Sequence, residues 1–364
     1  MTFLITILIF SALIVIHEFG HFLAARQAGV RVEKFSIGFG PELLRINGKQ
    51  TQFLICAFPL GGYVKMAGDS RGEHKGAKDE FLSQPVGVKM RIVFAGPLFN
   101  YLFAFVLFCL IFFLGFPYSD TIVGSVLEGY PAQAAGIETG DRITEVNSKP
   151  VNTWQEVVDV VYDAEGKVIL SIERANKQLV LEVPLKKEEI LDNFGRKKNV
   201  SIMGISASSQ RKIVRYGFLD AIFQGGKTLL NLTFLIVKGF LFMILGIIPF
   251  KEAVAGPVGI FYITSEAAKV GLTAVLQLAA VLNVSLAVIN LVPFPVLDGG
   301  HILFFLIEKI RGKPLKEKTE DILTRLGMGL LGVLIIFVFY NDIMRFGPRI
   351  WKRGSQEISI DKSH

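Results

Sequence analysis

The sequence places His17-Glu18-Phe19-Gly20-His21 at the end of an apolar run from Phe3 to Ile16, and that coincidence limits what the chain can become. Histidines four residues apart share one face of a helix, so both imidazoles can reach a single metal ion. The glutamate beside the first can then serve as base toward water held by that metal. His-Glu-x-x-His on a helix is the zincin pattern. Its setting here is a helix fit for lipid, where ionisable groups are costly and are kept for function. Two plainer readings compete. The histidines could sit at the interfacial end of an anchor, or the stretch could be a signal peptide. Against the signal peptide, no positive charge opens the run, no A-x-A-like site follows, and the apolar segment carries the motif itself.

Composition narrows the class. The 364 residues are 51% hydrophobic with a mean hydropathy of +0.48, which fits an integral membrane protein with room for one soluble domain. The net charge of +7 is scattered through loops beside apolar segments, where anionic headgroups attract it, and does not read as nucleic-acid binding. Of the two cysteines, Cys56 falls in a loop region and Cys109 in an apolar helix, so neither a disulfide framework nor a Cys-based zinc site is expected.

From Arg26 to Arg91 the chain carries eleven Lys and Arg, which by the positive-inside rule makes this region cytoplasmic. Within it Val32–Ile37, Leu43–Ile46 and Thr51–Ala57 read as short strands. Gly38-Phe39-Gly40-Pro41 and Asn47-Gly48-Lys49-Gln50 read as turns, the second a hairpin signal. Phe53, Leu54 and Ile55 make this small sheet apolar enough to dip toward the membrane. Val93–Phe116 is a second span, with Gly96-Pro97 and Asn100 near its start suggesting close packing and a polar contact.

Residues 119–206 change character. Strands are expected at Ile122–Val126, Thr144–Asn147, Val168–Ile172 and Leu179–Val183, with a helix opening at Trp154. The string from Pro131-Ala132 through Ala135-Gly136-Ile137, Gly140-Asp141-Arg142-Ile143 and Val146-Asn147 resembles a bacterial, circularly permuted PDZ domain, a fold that takes extended peptides by strand addition. Next, Thr228–Phe250 is apolar, yet Asp220, Gln224, Lys227, Asn231 and Lys238 form a stripe at helical spacing, which suits an amphipathic helix lying in the interface. Glu252–Val270 reads as a connector.

A third span, Leu272–Ile289, leads into Asn290-Leu291-Val292-Pro293-Phe294-Pro295-Val296-Leu297-Asp298-Gly299-Gly300-His301. Two prolines so close break a helix inside the membrane, and irregular backbone there must be covered by protein or line a water-filled cavity. Asp298 past the break is a candidate third ligand, since two histidines and one carboxylate form a catalytic zinc set. His301 competes; capping the next helix is its preferred reading. A charged stretch, Glu308–Arg325, is cytoplasmic by the same rule, and Gly327–Phe346 crosses again.

Depth and parity then constrain the topology. His17 and His21 lie roughly 21–27 Å below Phe3 in a hydrocarbon layer of about 30 Å, near the cytoplasmic face. Asp298 reaches that depth only if its helix also runs inward. The segment 228–250 must therefore stay on the outer side.

With HEFGH on the first span, the PDZ-like string and NLVPFPVLDGG on the third, nearly the whole chain resembles the site-2 protease family, M50-type intramembrane zinc metalloproteases, and most closely its regulator of sigma-E branch. The resemblance implies a polytopic α-helical membrane protein of about four transmembrane helices, with a membrane-associated β-hairpin and one inserted extracytoplasmic PDZ (α+β) domain. The expected parts are 1–117, 118–206 (PDZ), 207–271 (interfacial helix and connector) and 272–364. One Zn2+ would be held by His17, His21 and Asp298, with Glu18 as base and Asn290 assisting catalysis. Gly38, Phe39, Gly40, Phe53, Leu54, Ile55, Pro293 and Pro295 would contact substrate, the hairpin offering an edge to an unwound segment. Substrates would be single-pass proteins of the bacterial inner membrane, such as an anti-sigma factor after a first extracytoplasmic cut, or signal-peptide remnants. Peptide C-termini are candidate PDZ ligands, the bilayer is the other partner, and no nucleic acid is involved. Many members have two PDZ domains; this chain has space for one.

Overall fold

In the computed structural model the described residues are 2–191 and 195–361, without the side chains of 60, 252–253 and 347–361. The chain divides into two compact units, Met1–Ile111 with Leu219–His364, and Phe112–Phe218. The first unit begins with α1 (Thr2–Gln27), β1 (Val32–Asn47), β2 (Gln52–Met66) and α2 (Val86–Leu114). Gly20 lets α1 and α2 meet, because a Cβ there would lie 2.3 Å from the Ala95 carbonyl oxygen.

β1 and β2 form one long hairpin that doubles back on itself. Asn47 pairs with Gln52 at the tip and Phe35 with Val64 at the base, while Phe35 also pairs with Phe53. The expected turn at Gly38–Pro41 is thus the crease of a folded ladder, not a break between strands. Gly38 and Gly40 take φ of +89° and +88° there, and a Cβ on either would strike Phe58. One consequence corrects the expected substrate edge. Phe53–Ile55 lies between Phe35–Ile37 and Leu44–Ile46, so it presents no free edge, and Leu54 is only 1% exposed. The edge segments are Leu44–Asn47 and Gly62–Met66.

The second unit comprises β3 (Phe116–Ser119), β4 (Val123–Val126), α3 (Pro131–Ala134), β5 (Arg142–Val146), β6 (Lys149–Pro150), α4 (Trp154–Asp163), β7 (Lys167–Arg174), β8 (Lys177–Pro184), β9 (Lys186–Leu191), β10 (Lys197–Ile202), β11 (Ile205–Ala207) and β12 (Arg211–Val214). A four-stranded sheet of order β6-β5-β7-β8 is joined by the pairs β9–β10, β4–β11 and β3–β12. Val146, Leu170 and Ile172 from the sheet bury against Val157 and Val161 of α4. Thr153 caps α4 by accepting the Glu156 N–H at 3.4 Å. The unit extends past 118–206 at both ends because Phe116 pairs with Val214, a long-range ladder the local pattern does not announce.

The first unit resumes with α5 (Phe218–Ile244), α6 (Phe250–Ala253), α7 (Pro257–Val270), α8 (Leu272–Asn290), α9 (Asp298–Arg311) and α10 (Glu317–Asp361). The connector expected at Glu252–Val270 is largely helical: Pro257 occupies the first turn of α7, where its missing N–H costs nothing. Asp342 of α10 accepts the Gly259 N–H at 2.7 Å and so satisfies one of that turn's free donors. Among the described residues five helices are long and apolar enough to cross a membrane, one more than the four expected. The additional one is α5, whose length and hydropathy qualify it although its polar stripe argues for the interface.

Candidate metal centre

His17 and His21 lie on the α1 face that packs toward α2, and both are buried. Asp298 is the first residue of α9, at the end of the irregular stretch that follows α8. That stretch folds tightly onto the start of α9. A Cβ on Gly299 would lie 2.3 Å from the Val292 carbonyl oxygen, and one on Gly300 2.1 Å from that of Phe294. The two glycines after the aspartate are what allow the return. Farther along α9, Phe305 joins a buried cluster with Ala25, Ile92 and Val93, and Glu308 pairs with the buried Lys89 ammonium at 2.9 Å. α9 is thereby fastened to both α1 and α2.

These contacts bring three donors from opposite ends of the chain to one point. His17 Nε2 lies 3.1 Å from His21 Nε2 and 3.1 Å from Asp298 Oδ2, and His21 Nε2 lies 3.7 Å from Asp298 Oδ1. One ligand atom from each residue can be chosen so that all lie within 4.8 Å of one another. Tetrahedral neighbours around zinc, with ligands at about 2.0–2.2 Å, stand about 3.4 Å apart.

The donor chemistry also fits a cation. His21 Nδ1 bonds the Ile92 carbonyl at 2.9 Å, which makes Nδ1 the protonated nitrogen and leaves Nε2 as a lone pair. Asp298 Oδ2 is buried and has no hydrogen-bond partner, although His17 Nε2 is near. A single proton could relieve one of these contacts, not all three. Asn100 completes the arrangement from α2. Its side-chain amide faces His17 Nδ1, with Nδ2 at 3.4 Å, while Oδ1 is a buried orphan. The two ends of an amide have the same shape, and the surrounding network decides between them. With Oδ1 toward the ring, Asn100 accepts from Nδ1–H, and His17 Nε2 is free for a metal.

Gly96 provides the room, because a Cβ there would lie 2.3 Å from His21 Nε2 and 2.9 Å from His17 Cε1. Its neighbour Pro97 sits inside α2, removing the N–H that would close on Val93 and loosening the helix beside the Ile92 carbonyl. Glu18 points from the same turn of α1 toward the sheet: it takes a hydrogen bond from the Val64 backbone, and its Cγ would lie 3.6 Å from a Cβ on Gly62.

The remaining expected residues are placed unevenly. Asn290 is the last residue of α8 and half-buried, Pro293 is exposed and Pro295 half-buried in the irregular stretch. Phe39 and Ile55 are exposed near the crease, whereas the Phe53 ring packs against Phe22 and Phe35. His301 is exposed, stacks edge-on with Phe304 and takes no part in the cluster. The roles of Gly96 and Asn100 went unassigned in the sequence; the available signal was a Gly-Pro pair and an amide at helical spacing within an apolar span.

Paired imidazoles, a carboxylate and an adjoining glutamate, all set among apolar helices, define the class of membrane-embedded zinc metalloproteases. The match to known proteins is specific: residues 5–334 fit the model of "Peptidase family M50", and the chain belongs to that family. A "Putative zinc metalloprotease" of Agrobacterium fabrum is 35% identical, the match covering 93% of this chain and 94% of that one. Another of the same description from Campylobacter jejuni is also 35% identical, over 94% of this chain and 93% of that one. "Regulator of sigma-W protease RasP" of Bacillus subtilis is 27% identical, over 93% and 97% respectively. Among solved structures, the PDZ domain of an SdrC-like protein from Listeria monocytogenes aligns with 25% of this chain and 88% of that one, at 24% identity and a TM-score of 0.20. The protein is accordingly a zinc metalloprotease with an α-helical membrane fold.

Proposed function

We propose that this protease is an intramembrane endopeptidase that cuts peptide bonds inside the transmembrane segments of single-pass proteins. The observation that carries the reading is that His17, His21 and Asp298 converge within helices whose outward faces are apolar and exposed, as lipid-facing helices are. Regulated cleavage of an anti-sigma factor after a first extracytoplasmic cut is the substrate class in view, with signal-peptide remnants another. The name of the Bacillus subtilis relative supports the first.

In this reading His17, His21 and Asp298 hold one Zn2+ per chain and Glu18 is the catalytic base. Zinc supplies Lewis acidity at the scissile carbonyl and makes its water acidic enough to deprotonate near neutral pH. A Glu18 carboxylate oxygen takes the proton from water and returns it to the leaving amide nitrogen. A bond in a transmembrane helix is shielded by its own backbone hydrogen bonds and must be unwound first. Asn290, Pro293 and Pro295 then line the path of the opened segment from the α8–α9 side. Gly38, Phe39 and Gly40 face it from the crease, and Phe53, Leu54 and Ile55 hold the crease in shape rather than offering an edge.

The topology follows from parity: α1 and α8 run inward, α2 runs outward, and α5 through α7 remain at the outer side of the bacterial inner membrane. The second unit is then an extracytoplasmic PDZ domain, an assignment supported by the Pro131–Asn147 string, and the metal centre lies near the cytoplasmic face. Peptide C-termini are the ligands its fold suits.

The deciding experiment uses Glu18→Gln. The variant is expected to keep its zinc and fold and to lose cleavage of a transmembrane reporter by about 10²–10⁴-fold. Undiminished cleavage would overturn the proposal.

A further inference from the structure

α9 poses a packing problem that its apolar side chains do not solve. Ile302-Leu303-Phe304-Phe305-Leu306-Ile307 is apolar all the way round the helix, so apolar contacts alone would accept several rotations about the axis. Rotation matters because Asp298 is the first residue of that helix. A slip of one residue turns a helix by about 100° and carries a Cα about 3.5 Å round a cylinder of about 2.3 Å radius. A carboxylate so displaced would leave the two imidazoles behind, since metal–ligand distances tolerate only about 0.2 Å.

One polar contact removes the ambiguity. Lys89 of α2 is 4% exposed, and its ammonium donates to both Glu308 carboxylate oxygens at 2.9 Å. The same Nζ stands 4.9 Å from the centre of the Phe305 ring. Phe305 lies seven residues after Asp298, within about 20° of two full turns, so both project from one side of α9. On α2, Lys89 comes three residues before Ile92, whose carbonyl holds His21 Nδ1 at 2.9 Å. The pair therefore connects the turn of α2 that orients one histidine with the helix that delivers the aspartate.

Stability does not explain such a pair. Taking two charges out of water costs about what their attraction returns, and apolar residues of like volume do as well or better. What a buried pair can supply is register, because other rotations of α9 would leave an ammonium buried without its anion. Glu308 is ten residues, about 15 Å, from Asp298 along the axis, so it acts through α9 and not on the metal.

We propose that Lys89 and Glu308 are positioning residues that lock the register of the metal centre. They fix the rotation of α9 so that Asp298 faces His17 and His21. The inference rests on Asp298 being the third ligand.

The test uses the full-length protein in nanodiscs and reads two quantities on each variant. These are zinc affinity, by competition with a fluorescent chelator, and the thermal unfolding midpoint of the metal-free form. Lys89→Met with Glu308→Leu replaces both charges by apolar side chains of similar size. This apolar pair is expected to unfold at or above the native midpoint and to bind zinc about tenfold more weakly. Lys89→Glu with Glu308→Lys rebuilds the pair with its ends exchanged and should recover most of the lost affinity. Native zinc affinity in the apolar pair would overturn the inference. So would a fall in affinity that only accompanies a lower midpoint, since that is loss of fold and not of register. An exchanged pair that binds zinc no better than the apolar one would overturn it as well. Asp298→Ala separates the inference from its premise. Native affinity there removes the aspartate from the ligand set, whereas a fall there with none in the apolar pair removes the register lock alone.

Discussion

Gly96 stands so close to His21 that a methyl group on it would lie 2.3 Å from Nε2. A helix packed this tightly against two imidazoles leaves no room for a side chain at that point, so the α2 backbone forms the floor of the candidate metal centre. Gly96→Ala is expected to push the imidazole aside and lower zinc affinity about tenfold or more, a loss typical of disturbed ligand orientation. Metal content after dialysis against a chelator of known affinity is the check. Full zinc occupancy in the variant would mean that α2 can move away without penalty.

Asn100 acts on the neighbouring ring. Its contact with His17 Nδ1 sets which nitrogen carries the proton and therefore which is free for metal. Asn100→Leu is expected to weaken zinc binding about 10- to 100-fold, the usual effect of losing a partner behind a metal-bound histidine. Asn100→Asp retains an oxygen for Nδ1–H and should lose less. Competition with a fluorescent zinc chelator distinguishes the two.

The second unit carries a buried ion pair whose behaviour can be forecast. Asp141 is 1% exposed, and Arg174 reaches it with Nε at 2.6 Å and Nη2 at 2.7 Å. Burial alone would raise the Asp141 pKa. The Arg174 hydrogen bonds, the Glu138 N–H and the guanidinium charge together outweigh it and hold the carboxyl below its ordinary value. A depressed carboxyl stabilises the fold above the ordinary range, and that stability is lost as the pH falls through the lowered value, from about 4 downward. Trp154 fluorescence in a Trp351→Phe background should report acid unfolding in that window. Asp141→Ala should destabilise the unit by about 1–3 kcal/mol, because the Glu138 N–H loses its acceptor and Arg174 keeps only the Glu138 carboxylate and the Gly136 carbonyl.

For the topology, Lys251 is exposed between α5 and α7, in the segment that the proposed topology keeps on the outer side. Lys251→Cys is expected to react with a membrane-impermeant maleimide added outside intact cells. Labelling only after the cytoplasmic face is opened would mean that α5 crosses, and that α1 and α8 have been oriented wrongly.

What could be read from the residues alone was local. Two histidines on one face of one helix, and two prolines before an aspartate, are patterns contained within a dozen residues each, and both recur in the cluster. What could not be read depends on a distant partner. The crease at Gly38–Pro41 looks like an ordinary turn until Phe35 is seen opposite both Phe53 and Val64. α7 looks like a connector because its polar residues obscure the helical pattern, and its first turn is completed by Asp342 from α10. Gly96 and Asn100 signal close packing and polarity, but only the approach of α1 shows that the object they pack against is a pair of histidines.

The aspartate of the candidate metal centre is encoded far downstream of the histidines, after both α2 and the whole second unit. At about 5–20 residues per second of synthesis, the first two donors wait in the membrane for tens of seconds before the third exists. Throughout that interval the nascent chain has a motif but no complete cage for its ion. On the proposed reading, the protease is thus disarmed by the order of its own manufacture until nearly the last of its long apolar helices is laid down.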